Sequence, residues 1–519
     1  MLESHVAGSW RTPTDDGAPL LDAATGEEVA RISTAPVPAV DAVRHAREVG
    51  GPVLRSMTFH ERAMLVKDLA LALRAHSDEL YELSYATGST ARDTAIDVDG
   101  GIVTMLGMSS TARRNLPNDV VATDGPVERV SRGGTFLAQH VWTPLRGVAV
   151  QVNAYNFPVW GALEKLAPAL IAGVPSIVKP AEQTAYVTER MVRLALGTGI
   201  LPDGALQLLV GAPDGLLDAL DGQDLLSFTG SADTAAVLRA HPAVVQRGVR
   251  CTAEADSLNA AVLGPDAVAG TPELELFVRE VAREMTAKAG QKCTAVRRAF
   301  VPSSLLGEVT EALAARLSTA TVGDPRDPAT RVGALVDLAQ REAVRDAVRA
   351  IAAGGRIVTG AGDTVVEGYE RGAFMAPVLL SVDDARFGPV HDVEPFGPVA
   401  SLMAYDSAEE VVDLLALGRG SLVASVVSHD PGFVRTVVLG AAPFHGRILV
   451  LDRDDAAEST GHGSPLPQLV HGGPGRAGGG SEMAGMRGVV DLMQRTAVQA
   501  SPRLLAALQP ARASRPPTA

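Results

Sequence analysis

The sequence predicts an α/β protein with two parallel sheets and a small additional β element. Short β-branched runs alternate with helical stretches over most of the 519 residues. Strand–helix–strand repetition lays strands parallel and puts helices on the sheet faces. The alternation restarts after Cys293. A chain of this length then divides into two sheets, one on each side of about residue 254.

The elements follow in order. Residues 60–76, "HERAMLVKDLALALRAH", carry apolar positions at helical spacing with charges on the other face. Strands are predicted at 147–152, 175–179, 225–230, 259–264 and 297–301, separated by helices at 159–172, 184–198, 232–240 and 272–288. Beyond Cys293 the pattern gives helices near 304–318 and 338–353 and strands at 355–360, 398–405 and 422–428. Segments 133–145 and 493–501 are read as isolated strands, free to form an internal edge or to pair with another subunit. The tail, rich in Pro, Ala and Arg, is expected to fray.

Composition narrows the function classes. Hydrophobic residues make up 46%, enough for a folded core. A net charge of −14 and only 4% aromatics argue against a nucleic-acid partner. The N-terminus has no basic stretch followed by an apolar run, so a cytoplasmic protein is expected. The most apolar stretch, Val148 to Val178, is broken by Asn153, Asn156, Glu164, Lys165 and prolines, which excludes a membrane span. Two cysteines cannot build a disulfide framework, and no Cys/His cluster predicts a metal site.

Several motifs carry chemistry. In "LLSFTGSADTAAVLRA" a strand ends in Thr229-Gly230-Ser231 and passes into a helix, whose N-terminus can take a pyrophosphate. The ordinary role of such a serine is a helix cap. In "QVNAYNFPVWGALEKLAPALIAGVPSIVKPAEQT" Asn156, Lys179 and Glu182 follow the carboxyl ends of parallel strands, where open α/β sheets bind ligands. Asn156 offers an amide to an oxyanion, and Lys179 with Glu182 can bracket a ribose; taken in isolation, a capping Asn and a surface Lys/Glu pair are the preferred readings. Glu254 sits between two strand-like runs, which suits either a general base or a structural ion pair. Cys251 is read as a small core residue. Cys293, in "MTAKAGQKCTAVRR", has Lys292, Arg297 and Arg298 nearby to favour a thiolate. "GPGRAG" (473–478) matches a dinucleotide fingerprint in letters but lacks the strand and helix such a loop requires.

Taken together, "YNFP", "KPAEQT", "FTGS", Glu254, "GQKC" and "EPFGPV" occur in an order that resembles the aldehyde dehydrogenase superfamily from about residue 5 to residue 500. The resemblance implies a nucleophile at Cys293, an oxyanion donor at Asn156 and a general base at Glu254. It implies NAD or NADP as cofactor, held by Lys179, Glu182, Gly230, Ser231, Glu394 and Phe396. It also implies a cofactor-binding domain of residues 1–123 and 146–253, a catalytic domain of 254–484, oligomerisation strands at 124–145 and 485–503 in a homodimer or dimer of dimers, and a disordered tail at 504–519.

The chain departs from the family pattern at "EADSLN", at Ala235 and at "HGGPGRAGGGSE" (471–482). These departures are similar to the dehydrogenase domain of the bifunctional ring-cleavage protein of phenylacetate degradation and to the semialdehyde dehydrogenases of the CoA-dependent benzoate pathway. An aldehyde carried on a CoA thioester is therefore expected, with a hydratase, if any, on a separate chain. His462, His471 and Arg476 in the loop before the last glycine motif are candidate CoA contacts. The alternatives are a dehydrogenase for small free aldehydes, or a binding protein that keeps only the fold.

Overall fold

The structure is a computed structural model that describes residues 1–483 and 485–509. Two seven-stranded sheets form its body. The first runs in the order Arg250–Glu254, Leu225–Thr229, Ala149–Val152, Ser176–Lys179, Leu206–Leu208, Ser4–Val6, Ser9–Arg11. Its first five strands are parallel, and the N-terminal hairpin adds two antiparallel strands at one edge. That hairpin and Leu206–Leu208 have three residues per strand, too few for periodicity to register in the sequence.

The second sheet runs Gly355–Thr359, Val378–Val382, Val399–Tyr405, Arg298–Pro302, Ala260–Leu263, Ser421–Val427, His445–Leu451. Only Gly355–Thr359 is antiparallel. The central strands read "AAVL" and "SLVASVV" and are buried throughout, as expected of parallel strands covered on both faces.

Helices Phe59–Arg74, Ala91–Asn115 and Trp160–Ala172 pack over the first sheet through Phe59, Leu69, Ile102, Leu163 and Leu170, all essentially inaccessible. Thr58 and Thr90 open the first two of these helices with capping boxes to Glu61 and Asp93, which satisfies otherwise unpaired N–H groups.

The small β element is a three-stranded antiparallel sheet, Met493–Ala500, Leu137–Pro144, Ala122–Arg129. Leu137–Pro144 is its middle strand, so the segment read as an edge strand is paired on both sides. The tail departs from expectation too. Pro502–Ala506 is a helical turn with Leu505 buried, because one apolar side chain anchors it to the sheet; residues 510–519 of the expected disordered tail lie outside the described residues. No helix among the described residues is long and apolar enough to cross a membrane.

The chain crosses between the sheets at Glu254, which ends an edge strand of the first sheet six residues before Ala260 opens a central strand of the second. The carboxyl ends of the first sheet's strands thus face the segments that lead into the amino ends of the second sheet's strands. The candidate site lies along that seam.

Candidate active site

Cys293 stands in a loop between helix Pro272–Thr286 and strand Arg298–Pro302. Lys288 and Ala289 adopt positive φ, 54° and 48°, which costs of order 1–3 kcal/mol per residue and needs support elsewhere. That support is present: the Lys288 N–H donates to Asp93 (2.7 Å) and its ammonium to Ser89 (2.7 Å). Gly290, at φ 68°, has no room for a side chain, because a Cβ there would lie 2.0 Å from the Gly397 carbonyl. Arg297 is fully buried and joins these strands of chain, donating to the carbonyls of Gly397 (2.8 Å), Gly290 (2.9 Å) and Lys292 (3.2 Å). Asn259 donates to the carbonyls of Cys293 (2.7 Å) and Ala295 (3.0 Å). The loop is held from every side.

Of the three cations expected near the thiol, Arg297 interacts with it electrostatically, and the other two are engaged elsewhere. Lys292 is buried against Glu284 at 2.6 Å. Arg298 donates to the Leu258 carbonyl and to His391 Nδ1. Burial, and then the charge of Glu254, push the Cys293 thiol well above its ordinary pKa. Cys293 therefore favours the protonated thiol, with a carboxylate beside it.

That carboxylate is Glu254, 2% exposed. His471 Nε2 lies 2.8 Å from its Oε2, and ligand atoms of Glu254, Cys293 and His471 all fall within 4.8 Å of one another. Burial would raise the Glu254 carboxyl. The charge of His471 and hydrogen bonds from His471 and Cys293 outweigh that and hold it below the usual carboxylate range. The loop carrying His471 reaches Glu254 by close backbone packing: Ala255 N–H donates to the Ala477 carbonyl (3.1 Å), and a Cβ on Gly478, φ 116°, would meet the Ala253 carbonyl at 1.9 Å. Gly478 is needed for that approach.

Cys293, Glu254, His471 and Asn156 line one cavity of about 970 Å³. Asn156 gives one amide N–H to the Gln291 carbonyl (3.1 Å), and its amide nitrogen carries a second N–H. Two wall residues were missed as site residues in the sequence, Glu164 and Lys165, a buried pair 2.9 Å apart on helix Trp160–Ala172. Their only signal was two charges inside an otherwise apolar run.

The residues assigned to a dinucleotide lie outside this cavity wall. Lys179 ends its strand, with Glu182 exposed in the turn that follows. Burial lowers the Lys179 pKa and the charge of Glu182 opposes that shift. Ser231 caps its helix by accepting from Thr234 N–H (3.3 Å), which is its ordinary role. Gly230 passes over Phe228, whose ring a Cβ would strike at 2.5 Å. Glu394 accepts from Ser257 N–H (2.9 Å) and faces Arg297 (3.5 Å); burial pushes its carboxyl up to about 7 despite Arg297. Phe396 packs edge-on against Tyr155. Buried polar atoms without a hydrogen-bond partner remain at both Asn153 side-chain atoms and at Glu394 Oε1. Such atoms at strand ends fit a polar ligand.

The three expected CoA contacts are placed differently. His462 is inaccessible, 2.5 Å from Ser425, and burial pushes its pKa down to about 4. His471 faces Glu254. Arg476 donates to the carbonyls of His391 (3.1 Å) and Asp392 (2.5 Å). The two histidines are buried and Arg476 is half-buried, tied to backbone carbonyls, because the loop packs closely against its neighbours.

The sequence pattern of the aldehyde dehydrogenase family matches residues 10–439. The chain belongs to that family. It is an oxidoreductase that acts on aldehydes. A 3,4-dehydroadipyl-CoA semialdehyde dehydrogenase of Aromatoleum evansii is 42% identical over 484 residues, 91% of this chain and 93% of that one. A betaine aldehyde dehydrogenase of Vibrio vulnificus is 28% identical over 434 residues, covering 83% and 86%. Among solved structures, the betaine aldehyde dehydrogenase of Staphylococcus aureus in complex with NAD+ has a TM-score of 0.82 at 21% identity, covering 96% of this chain and 95% of that one, a likeness of fold.

Proposed function

We propose that this dehydrogenase oxidises an aldehyde to a carboxylic acid through a thioester on Cys293, with NAD or NADP as acceptor, and that the aldehyde is a CoA-linked semialdehyde of aromatic (phenylacetate or benzoate) degradation. The observation that carries the chemistry is the trio of half-buried Cys293 with buried Glu254 and His471 in a single cavity. The substrate class rests on the name of the Aromatoleum relative.

Glu254 takes the thiol proton as Cys293 sulfur adds to the aldehyde carbon. The second N–H of Asn156 and the Cys293 backbone N–H stabilise the oxyanion. Lys179, Glu182, Gly230, Ser231, Glu394 and Phe396 hold the dinucleotide, which supplies hydride-accepting chemistry when bound. Loss of hydride from the former aldehyde carbon leaves the thioester. Glu254 then removes a proton from water, hydroxide adds to the thioester carbonyl, and the carbon–sulfur bond breaks to release acid and thiolate. A protein carboxylate that must act as base twice has to shed its first proton. His471 is the positioning residue that favours the ionised form of Glu254 between these steps.

In the same reading, residues 1–123 and 146–253 form the cofactor domain and 254–484 the catalytic domain. The strands at 124–145 and 485–503 are oligomerisation strands, whose exposed edge residues suit pairing with a second copy in a homodimer or dimer of dimers. The test of the substrate is initial rates with NAD and with NADP across aldehydes with and without a CoA group. The CoA-linked semialdehyde is expected to have the higher kcat/KM than a free aldehyde of equal chain length, in kcat as well as KM. Equal values would remove the CoA assignment and leave the dehydrogenase.

A further inference from the structure

The cavity above Cys293 changes character along its wall. Its carboxylates, Asp93, Glu164, Glu254 and Glu284, are buried. Three of them have a nitrogen partner: the ammonium groups of Lys165 and Lys292 for Glu164 and Glu284, and the His471 imidazole for Glu254. Asp93 accepts from Lys288 N–H and from the Thr90 hydroxyl. The interior is thus electrostatically closed.

The same cavity is lined by five arginines that are exposed: Arg92, Arg279, Arg283, Arg316 and Arg331. They come from three helices and a loop, at the start of Ala91–Asn115, from Pro272–Thr286, near the end of Leu306–Ser318, and from the turn before Gly333. Arg283 and Arg316 pair with Glu280 (2.5 Å) and Glu275 (2.8 Å). Arg279 has only Glu280 at 3.8 Å. Arg92 and Arg331 have no ion pair among the described residues. On a protein of net charge −14, uncompensated guanidinium groups around one opening are out of character with the rest of the surface. Arg279 also stands about 10 Å along its helix from Thr286, where the chain leaves for the Cys293 loop, at ~1.5 Å per residue.

We propose that this arginine rim, centred on Arg92, Arg279 and Arg331, is the subsite for the phosphates of a CoA thioester whose aldehyde end reaches Cys293. The inference rests on the CoA-linked substrate proposed above and assigns its recognition to different residues from those the sequence suggested. Guanidinium groups stay charged and bind phosphate oxygens through paired N–H donors. Exposed arginines at the rim keep solvent access until the ligand arrives. The buried, neutralised interior then accepts the uncharged arm and the aldehyde. Lys179, Glu182 and Ser231 do not line this cavity, so the rim is separate from the dinucleotide side.

The experiment uses the whole protein with the dinucleotide site filled by saturating NAD. Free CoA is the probe, its binding measured by calorimetry, beside kcat/KM for a CoA-linked semialdehyde and for a free aldehyde. In the unaltered protein, free CoA should bind, should compete with the free aldehyde, and should weaken as salt is raised. Arg92→Gln with Arg279→Gln and Arg331→Gln should weaken CoA binding at least tenfold and lower the CoA-to-free kcat/KM ratio by a similar factor. The corresponding Lys variants, which keep the charge, should recover part of it and show that folding is intact. If the unaltered protein prefers the CoA substrate and the triple Gln variant keeps that preference and its CoA affinity, the rim assignment falls while the substrate stands. If free CoA does not bind the unaltered protein and no preference exists, the substrate falls and the rim with it.

Discussion

The two sheets contribute to the site in opposite ways. In the first, polar residues come just after strands: Asn153 and Asn156 after Ala149–Val152, Lys179 ending Ser176–Lys179, Ser231 after Leu225–Thr229, Glu254 ending Arg250–Glu254. In the second they come before strands: Asn259 before Ala260–Leu263, Cys293 and Arg297 before Arg298–Pro302, Glu394 before Val399–Tyr405. Parallel sheets place ligands at the carboxyl ends of their strands, and the first sheet obeys. The second supplies its amino ends because its leading segments are pulled to the seam by Arg297, Asn259 and the Glu394–Ser257 contact. The difference teaches that one side of the site is built locally and the other is built by long-range hydrogen bonds. Substitutions on the second side should therefore cost both chemistry and stability, while those on the first should be more selective.

The largest effect tests the second side at its centre. Cys293→Ala should abolish oxidation and alkylation by an aldehyde-competitive thiol reagent, whereas Cys251→Ala, in a mostly apolar cluster of the first sheet, should keep both. Activity surviving in Cys293→Ala would end the nucleophile assignment.

Glu254→Gln, on the first side, should act on both proton transfers. The burst and the steady turnover of reduced cofactor should each slow by roughly 10²-fold or more, the scale of lost general-base catalysis. A burst of unchanged rate in rapid-mixing kinetics would remove Glu254 from acylation and leave it hydrolysis alone.

His471→Phe joins the two sides and should show in the pH profile. His471 lowers the Glu254 carboxyl against burial; with its charge gone, burial dominates and the carboxyl rises. Less Glu254 is then ionised near neutrality, so kcat should be reduced about tenfold at pH 7 and recover as pH is raised. An acid limb that stays where it was in the unaltered protein would show that His471 does not tune Glu254.

Asn259→Ala sharpens the contrast from the stability side. It leaves the carbonyls of Cys293 and Ala295 and the N–H of Val423 without their partner, a cost of about 1–3 kcal/mol visible in denaturant unfolding. A variant as stable as the unaltered protein would mean that the loop holds itself.

Glu182→Ala should have the smallest effect. Glu182 is exposed, so screening limits its repulsion of a 2′-phosphate, and the NADP/NAD preference should shift only a few-fold towards NADP. A ratio that does not move would put Glu182 away from the ribose.

The sequence alone determined the alternation of strands and helices, the split near residue 254, and the local motifs at the strand ends, because each is written in consecutive residues. Cys293 and Glu254 stood out for the same reason: one rare thiol in a polar loop, one charge between apolar runs. Tertiary structure decided what surrounds them. Nothing in sequence spacing places His471 against Glu254 across 217 positions, pairs Lys292 with Glu284 and Arg297 and Arg298 with backbone carbonyls, or buries His462 and ties Arg476 to the His391 and Asp392 carbonyls while arginines from four separate segments gather round one opening. Those pairings follow from close packing between distant segments, where a buried charge must find whichever partner the fold brings to it.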